Sequence, residues 1–359
     1  PAPVGRASPP GPWLRSLVAV AVLLGAVLAA YNVNLPYYAL APGQARAVNG
    51  LIQVEGAANF PPGGEVLLTT VSLRNVRAID ALVGWLDPDT DIVEQARLRP
   101  RSTSDVQFRQ QNLDLMDDSK QTAVVVALRR LGHQVTERGE GGRVVSVVPD
   151  LPAAGRLERG WVITAVDGTP TGLVSDIQAA IRRAGAGHSL TIEVDPSDGS
   201  PRRTVEVPVV ENPSTGSPVI GVELRTRNRS FDTPVDVKIA SGSIGGPSAG
   251  LAFALGVIDR LTPGELTGGR KVAVTGELRL DGTVASVGGV AQKAAAVRRA
   301  GAEVFLVPAS EAAAARSRAG DDVEVVPVAS LHEALDALAG LGGDLSALGL
   351  GPAPAVPSS

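Results

Sequence analysis

No cysteine occurs in the 359 residues, which excludes disulfides, cysteine nucleophiles and thiolate zinc sites. Histidine is nearly as scarce: His133, His188 and His332 are the whole supply, and none sits in a recognisable triad motif. His332-Glu333 is followed by Ala-Leu-Asp rather than a second histidine, so the helical zinc-protease pattern is missing as well. No phosphate loop of the form GxxxxGK-Ser/Thr is present, so no ATPase motor is encoded. Net charge is −4 with no lysine/arginine-rich run, which leaves no electrostatic footprint for nucleic acid. Aromatics are 3% of the chain, so cores must be built from Val, Leu, Ile and Ala. Nothing in this inventory calls for a cofactor or a metal.

What the chain does have is one long uncharged stretch, from Ser16 to Ala45. Its apolar heart is LVAVAVLLGAVLAA, Leu17–Ala30, flanked by Trp13 and Tyr31. A spanning helix needs about 20 apolar residues, and residues 13–33 meet this with Arg15 near one end, where its stem can snorkel. Arg6 and Arg15 precede the stretch and the next basic residue is Arg46. The expectation is a single-pass membrane helix, with tail 1–12 cytoplasmic and everything after it extracytoplasmic. A cleaved leader with Val27 and Ala29 before the cut is the competing reading; the continuing uncharged run favours a retained anchor.

The remainder is long enough for two or three domains. Residues 34–43, NLPYYALAPG, read as a Pro/Gly-punctuated exit segment. Region 36–116 holds a predicted strand at Glu65–Leu73, and Asp117–Gly132 reads as a helix. Residues 117–212 form a β-rich domain: Leu190, Ile192, Val194 and Val205, Val207, Val209 alternate as strands. Between them a helix is opened by Ser175-x-x-Gln178. Residues 219–341 alternate strands (235–239, 272–274, 304–307, 323–326) with helices (250–261, 292–300, and one capped by Ser330-x-x-Glu333). The Gly/Pro/Ala/Ser-rich residues 342–359 read as disordered. The fold class expected is α+β.

The run RVVSVVPDLPAAGRLERGWVITAVDG, Arg143–Gly168, resembles the centre of PDZ domains in its valine strand, Pro152-Ala153-Ala154, Leu157-x-x-Gly160 and Asp167-Gly168 turn. The resemblance implies recognition of an extended peptide or chain end by strand addition beside a helix. The carboxylate-binding glycine loop of many PDZ domains is not recognisable here.

Three segments of the last region carry chemistry. Gly245-Gly246-Pro247-Ser248-Ala249-Gly250 puts a serine in a tight turn at a helix N-terminus, where the N–H groups of Gly246 and Ser248 face any oxyanion formed at the hydroxyl. Such a serine needs a base, and a desolvated lysine supplies one because burial disfavours its charge. Lys293 lies three residues after Val290 and four before Val297, bordering an apolar stripe. Thr275, in Thr275-Gly276-Glu277 after a buried strand, is placed to hold the lysine amine. Each taken alone has an ordinary alternative: an N-cap, a solvated lysine, a turn residue.

Together, VDVKIASGSIGGPSAG, KVAVTGELRLDGTVASVGG and VAQKAAAVRRAGAEVFLVP in residues 235–307 are similar in order and spacing to the proteolytic domain of the Lon protease family. The resemblance implies Ser248 as nucleophile, Lys293 as general base and Thr275 as its support. It departs from the usual Lys-Asp ahead of GPSAG, where this chain has Ile244-Gly245. Without a motor the chain is similar to a bacterial membrane-anchored branch in which a PDZ module accompanies the Lon-type domain. In that arrangement the strand near Leu67–Leu73 completes the protease fold and the PDZ-like module is an insertion. The function expected is an ATP-independent serine endopeptidase acting on unfolded or flexible extracytoplasmic segments; Lon-family domains often form rings, and the sequence leaves open whether this chain forms a homo-oligomer. A catalytically silent PDZ scaffold and a protein that cleaves only itself are the alternatives.

Overall fold

Val66, Leu67 and Leu68 are three apolar residues in a row, each 3% exposed or less, as befits a strand covered on both faces. They lie in β3 (Glu65–Arg77), near the middle of a six-stranded sheet. The computed structural model of the protein describes residues 12–77, 87–100 and 103–349. It divides the chain into two units, Pro1–Gly132 with Val235–Ser359, and His133–Pro234.

The larger unit opens with α1 (Pro12–Asn32), β1 (Asn34–Ala47), β2 (Ile52–Glu55), β3, β4 (Asp91–Glu94) and α2 (Asp105–Arg130). β1 pairs antiparallel with β3 and with β4, so the stretch expected to be an irregular exit segment is a strand. Its prolines explain the difference. The two register shifts, between Asn34 and Tyr38 and between Pro42 and Ala45, fall at Pro36 and Pro42, where a missing N–H interrupts the ladder. The Thr70 hydroxyl closes the second irregularity, accepting from Gln44 N–H at 2.9 Å and donating to its carbonyl at 3.1 Å. Helix α2 starts at Asp105, well before the expected Asp117, because Ser104 and Gln107 form a reciprocal capping box of 3.2 and 3.0 Å.

The inserted unit contains β5 (Gly142–Val147), β6 (Val162–Val166), α3 (Val174–Ala184), β7 (Ser189–Asp195), β8 (Arg203–Pro208) and β9 (Val222–Thr226). Its main sheet runs β8-β7-β6-β5-β9, each pair antiparallel. Ile163, Ile177, Leu190, Ile192, Val194 and Val207 form its core. The expected cap Ser175 lies inside α3; the Asp176 carboxylate instead reaches back to Leu173 N–H at 2.9 Å. The unit runs past the expected end at 212 because β9 pairs with β5, and it excludes α2, which belongs to the larger unit.

The larger unit resumes with β10 (Asp236–Ile239), α4 (Gly250–Leu261), β11 (Lys271–Val274), α5 (Val290–Arg299), β12 (Val304–Pro308), α6 (Ala312–Ala319), β13 (Glu324–Val328) and α7 (Leu331–Gly340). Its sheet is ordered β13-β12-β11-β3-β1-β4, parallel from β13 to β3. Strands from before and after the insertion therefore share one sheet, and β10 pairs with β2. Leu67, Ala273, Phe305 and Val307 of the sheet pack against Val290, Ala294 and Val297 of α5. Residues 342–349, expected to be disordered, are placed: Leu345 is 1% exposed and Asp344 N–H donates to the Glu265 carbonyl at 2.9 Å. The rest of that tail, 350–359, and residues 1–11 of the expected cytoplasmic tail lie outside the described residues.

Among the described residues no helix is long and apolar enough to cross a membrane. The expected span falls on α1, where the side chains of Pro12, Leu14, Arg15, Ala26 and Ala29 lie outside the description.

Asp259, near the end of the buried helix α4, is 3% exposed, and its Oδ1 has no hydrogen-bond partner among the described residues. Burial, with Glu265 adding to it, raises its carboxyl from 3.8 to about 6. Folding thus favours the protonated acid, and the stability this contributes below the unfolded value is lost as pH rises to about 6. Asp259→Asn is expected to match the parent at acid pH and to exceed it above neutrality, by on the order of 3 kcal/mol. Thermal melts at both ends check this; a gap independent of pH would rule out the titration.

Candidate active site

The turn ahead of α4 is held at two points by α2. The Gly246 N–H donates to the Asn112 carbonyl at 2.7 Å, and the buried Ser119 hydroxyl donates to the Pro247 carbonyl at 2.9 Å. Asn112 and Ser119 are two helical turns apart and so lie on one face of α2. Gly246 has φ of +88°, a conformation that a side chain would strain. Ser248 follows, half-buried, just before the twelve-residue α4. Its carbonyl accepts from Gly276 N–H at 3.0 Å and from the Thr275 hydroxyl at 3.3 Å.

Lys293 enters from the other side, on α5. Gly289, its N-cap, has φ of +69°, and a Cβ there would lie 2.8 Å from Val71 Cγ1, so α5 starts tight against β3. Lys293 is 2% exposed, and its Nζ donates to Thr275 Oγ1 at 2.9 Å. The fully buried Thr275 hydroxyl thus accepts from the lysine and donates to the backbone of Ser248. Burial lowers the Lys293 amine to about 7, against an opposing pull from Glu311. That carboxylate also accepts from Val287 N–H at 3.0 Å, on the segment leading into α5.

The structure brings Lys293, Thr275 and Ser248 together through the threonine hydroxyl and the serine carbonyl. Among the described residues no hydrogen bond joins Ser248 Oγ to Lys293 Nζ. Gly246, expected to offer its N–H to an oxyanion, has that N–H engaged by Asn112, whereas Ser248 N–H has no partner among the described residues. Asn112 and Ser119 were absent from the sequence reading. The Ser104-x-x-Gln107 box would have extended the helix through Asn112, but nothing in sequence marks a backbone carbonyl as an acceptor. Beside the turn lies a cleft of about 370 Å³ lined by Tyr38, Val71, Leu73, Phe108, Leu113 and Gly245 among others. Among the described residues no cluster of His, Asp and Glu is arranged to hold a metal ion.

Residues 222–339 match the Lon protease (S16) C-terminal proteolytic domain. The chain carries a Lon-type protease domain. The matched residues include the turn, Thr275 and Lys293, while β1, β3 and α2 lie outside them. The Lon protease of Clostridioides difficile is 42% identical over 76 residues, 21% of this chain and 9% of that protein. The Lon protease of Mycolicibacterium smegmatis is 27% identical over 195 residues, 51% of this chain and 24% of that one. The chain thus spans a quarter or less of the length of these relatives. The crystal structure of the PDZ domain of the SdrC-like protein Lmo2051 from Listeria monocytogenes is similar at 27% identity. It covers 24% of this chain and 87% of its own, with a TM-score of 0.22.

Folding favours the neutral Lys293 amine, so parent stability rises as pH increases from about 7 toward the ordinary lysine value of 10.5. Lys293→Met is expected to melt above the parent at pH 6, where the parent bears the full cost of a buried ammonium. That advantage should shrink toward pH 10. Melting temperatures that differ by the same amount at both values would show that the amine is not desolvated.

Proposed function

We propose that the chain is an ATP-independent serine endopeptidase in which Ser248 is the nucleophile, Lys293 the general base and Thr275 the residue that orients the lysine. The observation that carries this reading is the buried Lys293 amine, 2.9 Å from a threonine hydroxyl that itself bonds the serine backbone. Neutral Lys293 takes the Ser248 proton as Oγ attacks the substrate carbonyl, and it returns that proton to the leaving amine. The Ser248 N–H, at the positive end of α4, donates to the oxyanion. Water then releases the acyl group with Lys293 again as base.

Without a nucleotide-driven motor, the substrates are unfolded or flexible segments laid in the cleft beside Gly245. In the inserted unit a cleft of about 430 Å³ runs along α3, lined by Gln178, Ile181, Arg182, Ile220, Val222 and Leu224 among others. An extended peptide fits such a strand-and-helix groove, which supports a role in selecting substrates or partners. Membrane anchoring through α1 is supported by Leu17, Val18, Val20, Val22, Leu23 and Leu24, each more than half exposed on a 21-residue helix. With Arg6 and Arg15 on the cytoplasmic side, the protease and the inserted unit face outward. A catalytically silent scaffold is the second reading, favoured by the engaged Gly246 N–H and by the lack, among the described residues, of a hydrogen bond between the Ser248 hydroxyl and Lys293.

Proteolysis of an unfolded protein without ATP separates the two. The parent is expected to cleave, with kcat/KM rising through an acid limb near pH 7, and Ser248→Ala and Lys293→Ala each to lose activity by several orders of magnitude. Activity that survives either substitution would sink the dyad, and a parent inert under all conditions would favour the scaffold.

A further inference from the structure

Thr69 is 2% exposed, and its hydroxyl has no hydrogen-bond partner among the described residues. An unpaired buried hydroxyl costs on the order of 1–3 kcal/mol, so its position in the fold is informative. Its neighbour Thr70 is bonded to Gln44. Along β3 the side chains alternate, which puts Leu67, Thr69 and Val71 on one face. Helix α5 covers that face: Leu67 packs with Val290, Ala294 and Val297, and Val71 lies against the N-cap Gly289.

The adjacent strand presents the same face. Leu67 pairs with Ala273 and Leu68 with Val274 in parallel register, and Ala273 packs in the same core as Leu67. One step further along both strands stand Thr69 and Thr275. The register therefore aligns two buried hydroxyls toward the helix that carries Lys293. One of them, Thr275, already holds the amine. An ammonium offers three N–H donors, and among the described residues Lys293 Nζ makes this one hydrogen bond.

We propose that Thr69 is a second positioning residue for Lys293, its hydroxyl accepting a hydrogen bond from the ammonium that forms when Lys293 takes the Ser248 proton. The inference rests on the Ser248–Lys293 reading above. The proton moves from Ser248 Oγ to Lys293 Nζ as the oxygen–carbon bond forms, then to the leaving nitrogen as the carbon–nitrogen bond breaks. Thr69 exchanges no proton and stabilises the charged intermediate form of the base. Of the charged groups on elements packed around α5, Glu311 acts on Lys293. Asp89 and Asp91 are engaged by Arg298, Arg299, Arg318 and Gln292, and Glu65 faces Lys271.

The chain has four lysines, Lys120, Lys238, Lys271 and Lys293, so the side-chain nitrogen of Lys293 can be followed by NMR titration of the full chain and assigned with Lys293→Met. Thr69→Val keeps the shape and removes the acceptor; Thr69→Ser keeps the acceptor. Losing a partner of the charged form lowers an amine's pKa. In Thr69→Val the Lys293 midpoint is expected to fall by on the order of one pH unit, with the parent value restored in Thr69→Ser. In proteolysis the acid limb of kcat/KM should move down with it, while kcat falls on the order of tenfold and KM holds. An unmoved midpoint in Thr69→Val, or one that Thr69→Ser does not restore, would overturn the role of Thr69. Because the titration does not depend on turnover, a shifted midpoint in a chain that cleaves nothing would keep the contact and overturn the peptidase reading instead.

Discussion

A single amine kept out of water is the constraint around which the larger unit is organised. Lys293 is 2% exposed on a helix that contributes Val290, Ala294 and Val297 to an apolar core. Those residues lie on Leu67, Ala273, Phe305 and Val307 of the sheet. An apolar layer of this kind disfavours an ammonium, and the fold meets the amine's polar needs with a threonine at the end of a parallel strand. The same threonine bonds the backbone of the serine, so the position of the amine is tied to the position of the serine. Helix α2 completes the arrangement by fixing the turn before Ser248 at Gly246 and Pro247.

The parts of the site legible in sequence are those whose side-chain chemistry is the signal. A serine in a glycine turn, a threonine after a buried strand and a lysine bordering an apolar stripe all declare themselves by residue type and spacing. The alternation of strands and helices after residue 235 was readable for the same reason, since periodicity follows burial. What escaped was carried by backbone or by context. The prolines of β1 read as loop because their interrupted ladder is tolerated only beside β3 and β4. The engagement of Gly246 depends on a backbone carbonyl at Asn112, and every residue has a carbonyl. Thr69 looked like one more β-branched strand residue, and its hydroxyl became conspicuous only when both faces of the sheet were covered.

Domain limits followed the same rule. The ends of the inserted unit are set by the pairing of β9 with β5, and the membership of α2 by its hold on the turn before α4. Both are contacts between segments distant in sequence, which local composition does not encode.

The insertion of residues 133–234 between α2 and β10 has a consequence for the order in which the molecule is made. β3 is synthesised roughly 200 residues before the strand that pairs with it in parallel, β11, and long-range pairings of this kind form late. Until β11, α5 and β12 have joined the sheet, Lys293 is a solvated side chain with the ordinary lysine value of 10.5, protonated at neutral pH and useless as a base. The inserted unit, with a core and a main sheet of its own, can fold well before that moment. On the Ser248–Lys293 reading, the nascent chain therefore needs no pro-segment to remain harmless to itself: completeness of the fold is its own safety catch.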